Sequence, residues 1–179
     1  LFFRANGNSG TQGIELWKTD GTAPGTVLVK DIYAGSTSSS PSNLTALGSS
    51  LIFTALAPTT GTELYISDGT DAGTVLLKDI NAGTSSSSPA LLTLSGSWVY
   101  FRATTSAEGE ELWRTDGTPV GTALVKDINS GVFSSSIASI TAFGSGVIFS
   151  ANGGTTGWEP WRSDGTFAGT VIIKEIRSP

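Results

Sequence analysis

The sequence predicts an all-β fold of the β-propeller type, with four 48-residue blades of four antiparallel strands, the first blade being incomplete. Three observations predict it: one pattern repeated four times at a constant interval, short strand-like runs between tight turns, and strands that are apolar on both faces. The repeat begins each time with Glu-Leu-Trp or a close variant: Glu15–Trp17, Glu63–Tyr65, Glu111–Trp113 and Glu159–Trp161. An Asp-Gly-Thr, a Gly-Thr and a Lys-Asp-Ile (Lys-Glu-Ile in the last copy) follow in the same frame, without insertion or deletion.

Each repeat contains four strand-like runs. In the second repeat they are residues 43–47, 51–55, 62–67 and 74–80, rich in β-branched or aromatic side chains and bounded by Gly, Ser, Asp or Pro. Because the turns between them are too short for parallel crossovers, we expect antiparallel pairing. The chain opens in the second strand of a repeat, so the count is 15 strands.

The blades are predicted at residues 1–32, 33–80, 81–128 and 129–179. Closure as a four-bladed ring and membership of a larger ring or array are both open. The opening in mid-pattern leads us to expect a window from a longer polypeptide.

The last hairpin of each repeat has a predictable register. If residues 20–25 form its loop, positions whose numbers sum to 45 face each other, which pairs Trp17 with Leu28 and Glu15 with Lys30. The other copies give the equivalent Glu–Lys pairs, each worth about 0.2–1 kcal/mol across a strand pair. Side-chain alternation leaves both faces apolar at their centres, so we expect the sheets to stack on one another.

Turn chemistry explains the repeated Asp and Gly. Asp20 is expected to accept backbone N–H bonds as an Asx-turn, with Gly21 and Gly25 at positive φ. The Ser-rich tracts at residues 35–41, 83–89 and 131–137 keep the repeat frame, so they are predicted to be ordered connections between blades.

Composition excludes several functions. A chain with a net charge of −5 and a pI near 4.6 lacks the basic surface that nucleic-acid binding requires. The absence of Cys and His removes thiol nucleophiles, thiolate metal sites and the usual general base, so the chain is predicted not to be an enzyme. No apolar run reaches the roughly 20 residues of a membrane helix, so no membrane insertion is expected.

The repeated acidic residues are candidate ligands or acid–base groups. The four Asp-Gly-Thr loops could hold Ca²⁺, at Asp20, Asp68, Asp116 and Asp164. Calcium loops usually crowd three or more acidic or amide residues, and here only Asp71 adds one, so turn capping is favoured and no cofactor is expected. The Glu–Lys pairs are interpreted in the same way, as cross-strand staples and not as glycosidase carboxylates.

Three aromatic residues depart from the repeat and are the candidate contact residues. Trp98 replaces Ser50 and Gly146 at a hairpin turn, Phe133 lies in a Ser-rich connection, and Trp158 stands where Ile14, Thr62 and Glu110 stand. An exposed aromatic side chain can stack on a sugar or anchor a protein contact. The alternative is local packing under a loop.

The Glu-Leu-Trp-x-x-Asp-Gly-Thr core resembles the ELWxxDGT repeats of large bacterial proteins, mostly exported ones. The matching segments are Glu15–Thr22, Glu63–Thr70, Glu111–Thr118 and Glu159–Thr166, with Tyr65 and Pro160 as departures. The resemblance implies a propeller-like fold and an extracellular or cell-surface setting, without catalytic activity or site residues. Because a proline lacks a ladder donor, the hairpin of Pro160 is expected to be an edge or locally bent.

The expected function is a non-enzymatic structural or adhesive module, extracellular or on a cell surface, that self-associates or binds another extracellular protein. The alternative is a lectin-like propeller that holds glycans between its blades. A hydrolase with converging axial carboxylates is a third, less favoured hypothesis.

Overall fold

A computed structural model of the chain describes residues 1–7 and 11–176. These residues form fifteen β-strands and one short 3-10 turn, Gly154–Thr156, with no α-helix among them. The chain divides into two compact units, residues 1–88 and 89–179. The all-β prediction is confirmed.

The first unit holds two antiparallel sheets whose strands follow chain order. Sheet 1 has three strands: β1 (Phe2–Asn6), β2 (Ile14–Lys18) and β3 (Val27–Lys30). Sheet 2 has four: β4 (Ser42–Leu47), β5 (Ser50–Ala57), β6 (Gly61–Ser67) and β7 (Val75–Lys78). The four runs predicted for the second repeat therefore coincide with β4 to β7, apart from small shifts at their ends.

The second unit also holds two sheets in chain order. Sheet 3 consists of β8 (Ala90–Ser95), β9 (Trp98–Thr105), β10 (Gly109–Thr115) and β11 (Ala123–Lys126). Sheet 4 consists of β12 (Ala138–Phe143), β13 (Gly146–Asn152), β14 (Trp158–Ser163) and β15 (Val171–Ile172). Each sheet lies within one of the four predicted segments, and the propeller arrangement of the sheets stays a prediction.

The two faces of these sheets have different side chains. We call the face that carries the Leu of Glu-Leu-Trp, or its equivalent, the leucine face: Leu16 in sheet 1, Leu64 in sheet 2, Leu112 in sheet 3 and Pro160 in sheet 4. We call the opposite face, which carries the following Trp or Tyr, the aromatic face: Trp17, Tyr65, Trp113 and Trp161.

Within each unit a leucine face packs on an aromatic face. In the first unit Leu16 and Val29 of sheet 1 share a buried cluster with Phe53 and Tyr65 of sheet 2. The second unit repeats this packing with other residues: Tyr100, Leu112 and Val125 of sheet 3 cluster with Phe149 and Trp161 of sheet 4. Each fully buried apolar side chain of this size contributes roughly 1.5–3 kcal/mol, so the sheet-on-sheet contact stabilises both units.

The predicted Glu–Lys pairing is wrong. Trp17 does face Leu28, but a β-bulge follows, and the next pair is Leu16 with Lys30. The same shift occurs in sheets 2 and 3. The extra residue is Val29 in sheet 1. Because two residues of one strand then oppose one of the other, the lysine lies opposite the Leu that follows the glutamate and not opposite the glutamate itself.

The first hairpin is longer than its counterparts. Ala5 pairs with Glu15, whereas Ala55 pairs with Glu63, so two additional residues lie between the paired strands of sheet 1. This register places Phe3 opposite Trp17, as Phe53 lies opposite Tyr65. Residues 8–10 of this hairpin lie outside the described part of the chain.

Pro160 shortens the last strand without creating an edge. Its strand, β14, lies between β13 and β15, so Pro160 is not in an edge strand, although β15, the other strand of its hairpin, lies at the edge of the sheet. The Pro160 carbonyl still accepts a bond from the Ile173 amide at 2.8 Å. Because proline has no N–H to donate, the ladder stops there, and β15 comprises two residues where β3, β7 and β11 comprise four.

Candidate interaction surface

The glutamate of each Glu-Leu-Trp binds backbone amides and is buried. The carboxylate of Glu63 accepts bonds from the amides of Ile80 at 3.0 Å and Ser87 at 2.7 Å, and from the Ser87 hydroxyl. Glu15 makes the equivalent bonds to Ile32 and Ser39. These carboxylates therefore hold the connections that follow each sheet.

Burial changes the acidity of two of these glutamates. Loss of solvation raises the pKa of Glu63 above its ordinary value, although the Ser87 hydroxyl and the backbone amides act in the opposite direction. Burial raises the pKa of Glu111 to about 7, against hydrogen bonds led by the Ile128 amide. Desolvation outweighs hydrogen bonding because the charged form loses more solvation than three amides restore.

The Ser-rich connections are ordered, as predicted. Ser39, Ser87 and Ser135 are buried, and each donates its amide to the glutamate 24 residues before it. The aspartates beside the repeat lysines close turns in the same segments: Asp31 accepts from the Gly35 amide, Asp79 from Gly83 and Asp127 from Gly131.

The Asp-Gly-Thr loops are Asx-turns. Oδ1 of Asp20 accepts the Thr22 amide at 2.9 Å and the Thr22 hydroxyl at 2.7 Å, and the other three copies repeat both bonds. The threonine hydroxyl is the largest cause that holds the pKa of each aspartate below its ordinary value. One expectation is wrong: Gly21 has a φ of +95°, but Gly25 does not have positive φ.

Gly25 and its counterparts are required for a steric reason instead. A Cβ on Gly25 would lie 1.9 Å from Oδ1 of Asp20, and the same clash occurs at 2.0–2.1 Å in the other copies. The glycine therefore makes room for the carboxylate that closes the loop. Among residues 1–7 and 11–176, no group of three or more acidic side chains is close enough to share a metal ion.

The three predicted contact aromatics lie on different elements of the second unit. Trp98 begins β9 and is half-buried against the core of that unit, with the Arg114 guanidinium 3.9 Å above its ring. This placement favours local packing for Trp98. Phe133 is 66% exposed in the connection before β12, and Trp158 is 53% exposed at the start of β14.

Trp158 belongs to an exposed apolar surface that sequence reasoning missed. In β14 the buried residues Glu159, Trp161 and Ser163 alternate with Trp158, Pro160 and Arg162, so the latter three share the leucine face of sheet 4. The rest of this face carries Phe143, Ile148, Val171 and Ile173, which surround a groove of about 440 Å³.

This leucine face differs from its counterparts in exposure. Ile173 is 53% exposed, whereas the equivalent Val29 and Val125 are 4% and 6% exposed. Pro160 is half-buried where Leu16 and Leu112 are fully buried. The sequence signal was present, since apolar residues occupy these positions in all four copies, but only the structure reveals which copy is uncovered.

The aromatic face of sheet 1 is the second uncovered surface. Phe3 and Trp17 are half-buried, although the equivalent Phe149 and Trp161 are 4% and 6% exposed. Leu28, opposite Trp17, completes this face. An apolar sheet face that is only partly covered marks an interaction surface more often than singly scattered apolar residues do.

The described residues contain no helix long and apolar enough to cross a membrane. Comparison with known proteins found no match: no protein-family model, no curated protein and no solved structure is similar to this chain at a significant level.

Proposed function

We propose that this chain is a non-enzymatic repeat module of the ELWxxDGT kind, extracellular or on a cell surface, in which the four sheets act as blades of a β-propeller-type array. Its role is structural or adhesive, exerted by self-association or by binding another extracellular protein. The observation that carries the proposal is the exposed leucine face of sheet 4, with Ile173 at 53% exposure.

The repeated polar residues support a scaffold role. The glutamates bind their own connections and the aspartates close their own loops, so the repeated carboxylates already have structural partners. The residues that vary between copies, in contrast, include the exposed Trp158 and Phe133. An uncovered apolar face can bind a partner without catalysing a reaction, which is what an adhesive module requires.

Sedimentation velocity and bead aggregation test this function. We expect the average mass of the sedimenting species to rise as the chain concentration increases from about 1 to 300 µM, a range that covers weak interfaces. Beads coated with the chain should clump, and free chain should compete. A monomer at every concentration, with dispersed beads and no binding to bacterial surfaces, would contradict the proposal.

A lectin-like function is the second candidate, and the exposed indole of Trp158 favours it. An indole ring at 53% exposure can stack on the apolar face of a sugar. A glycan array would test it, with Trp158→Ala as the variant and Phe133→Ala as the matched control on another element. Binding that Trp158→Ala abolishes and Phe133→Ala leaves unchanged supports the lectin; an array without hits contradicts it.

A further inference from the structure

We propose that the leucine face of sheet 4 in one copy of this chain binds the aromatic face of sheet 1 in a second copy, head to tail. This inference rests on the proposed self-association and names its partner and its two surfaces. The contact would reproduce the packing that joins sheet 1 to sheet 2 and sheet 3 to sheet 4 within the two units.

The leucine face of sheet 4 has the residues that this packing uses. Val29 and Val125 lie in the clusters that join the paired sheets, and their equivalent, Ile173, is the most exposed member of the three. Ile148 stands where Tyr100 is fully buried in the second unit. The equivalent positions are also buried in sheet 2, at Leu64 and Leu77, so this face is buried in three copies and open only in the fourth. The open face is therefore complementary to the kind of surface that covers it elsewhere.

The aromatic face of sheet 1 is that complement. In sheets 2 and 4 the covered aromatic face has a Phe opposite a Tyr or Trp: Phe53 with Tyr65, and Phe149 with Trp161. Sheet 1 presents Phe3 opposite Trp17 in the same register. One copy of the chain therefore exposes one surface of each kind.

Lysine contacts provide an independent argument for the same orientation. Lys30 extends from sheet 1 to the Asp-Gly-Thr loop of sheet 2, where its Nζ lies 3.0 Å from the Asp71 carbonyl oxygen. Lys126 bonds the Thr170 carbonyl of the sheet 4 loop at 2.8 Å. Their equivalent, Lys174, is exposed and has no partner among residues 1–7 and 11–176.

In the proposed contact Lys174 meets an equivalent loop. The loop at residues 20–26 of sheet 1 is exposed at most of its positions, and the Asp20 carboxylate it contains has a lowered pKa. A head-to-tail copy would bring Lys174 to this loop, as Lys30 and Lys126 reach theirs. The proposed interface therefore has an apolar centre and a charged rim.

Because the two surfaces differ, the association is heterologous and yields rings or open chains of copies. The chain contains no cysteine, so single-cysteine variants report which surfaces meet. Ile173→Cys marks the leucine face of sheet 4 and Leu28→Cys marks the aromatic face of sheet 1. Val132→Cys, 68% exposed in the connection before β12, is the matched control.

A short bismaleimide cross-linker is added to each variant alone and to mixtures. We expect dimers in the mixture of Ile173→Cys with Leu28→Cys, and background levels in either variant alone or in mixtures with Val132→Cys. Cross-links between two Ile173→Cys chains would overturn the head-to-tail contact and leave self-association standing. Monomers in all mixtures would overturn the head-to-tail contact, whereas the proposed function falls only if sedimentation also shows a monomer at every concentration, the beads stay dispersed and no bacterial surface is bound.

Two further variants complete the test. Ile173→Asp should weaken association at least about tenfold, since it places a carboxylate in an apolar contact, while Val132→Asp should leave it unchanged. Circular dichroism verifies that both variants fold. In a chain carrying both Ile173→Cys and Leu28→Cys, cross-linking within single dilute chains, with no concentration-dependent mass, would show that one chain covers its own faces and would overturn the proposal.

Discussion

In each repeat one buried glutamate carboxylate accepts hydrogen bonds from backbone amides of the connection that follows it. Glu111 accepts bonds from the amides of Ile128, Asn129 and Ser135, and the Ser135 amide also donates to the Glu110 carbonyl oxygen. The cost of this arrangement is desolvation, which raises its pKa to about 7. The residue therefore couples the stability of the fold to pH in a direction unusual for a carboxylate.

We predict that the free energy of unfolding falls as pH rises from about 4.5 to 7. In this window the folded chain keeps on Glu111 a proton that the unfolded chain has lost, so deprotonation favours unfolding. Glu63 acts in the same direction. After allowance for solvent screening, the change from Glu111 is about 1–2 kcal/mol and levels off above pH 7.

Glu111→Gln provides the control for this prediction. Urea unfolding at pH 5 and pH 8 should show a smaller difference for the variant than for the parent chain. The Asp-Gly-Thr aspartates do not interfere, because their lowered pKa values make stability fall only when pH drops below about 3.8. An identical pH slope in the variant would assign the effect to other groups.

At Gly73 we predict a steric cost that depends on one partner. A Cβ there would lie 2.1 Å from Oδ1 of Asp68, so Gly73→Ala should destabilise the fold by about 1–3 kcal/mol. In an Asp68→Gly background the same substitution should cost much less. A double-mutant cycle by thermal unfolding measures this coupling, and additive effects would refute the clash.

Among the elements, the strands could be predicted from the sequence and the bulges could not. Runs of β-branched residues between Gly and Asp turns fixed β4 to β7 to within a few residues. The bulge at Val29 carries no residue signal, because valine suits a regular strand equally well. The Glu–Lys prediction failed for this reason. The bond that the Ser39 amide donates to Glu15, on which the connection depends, was missed with it.

We predict that this buried bond outweighs the exposed ion pair of the first unit. Glu63→Ala leaves the amides of Ile80 and Ser87 buried without an acceptor, at a cost of about 3 kcal/mol or more. Asp71→Ala removes only the 3.8 Å pair with Lys30, whose side chains are partly or largely exposed, and should cost about 0–1 kcal/mol.

Chemical denaturation measures both substitutions. Hydrogen exchange adds a local test, because Glu63→Ala should speed exchange of the Ser87 amide more than that of amides in β5. Equal costs for the two substitutions would remove the glutamate from its structural role.

On the scale of the whole molecule, the candidate surface depends on which faces the repeats leave uncovered. The sequence signalled Trp158 and Phe133, which are exposed, and also Trp98, which packs under Arg114. It could not single out Ile173 or Phe3, since the same residue types are buried in other copies. The exposure of a residue on a sheet face depends on which other element packs against that face. The sequence of one repeat does not specify that element.

Net charge leads to a prediction for the proposed association. Each copy carries −5 at pH 7, so two copies repel one another while their apolar faces attract. Raising the salt concentration screens the repulsion and should strengthen association several-fold. Sedimentation at low and high salt measures this; weakening by salt would indicate a contact dominated by the Lys174 rim.

In the first three repeats the buried glutamate and the serine that binds it are always 24 residues apart, so the length of chain between them is constant. A residue added between them within a strand or within the Ser-rich connection would displace the serine from its acceptor. The hairpin before each glutamate lies outside that interval, and there the first copy already accommodates two more residues than the second. Foreign peptides should therefore be grafted at residues 58–60 or 106–108, where the length of the chain is free to change.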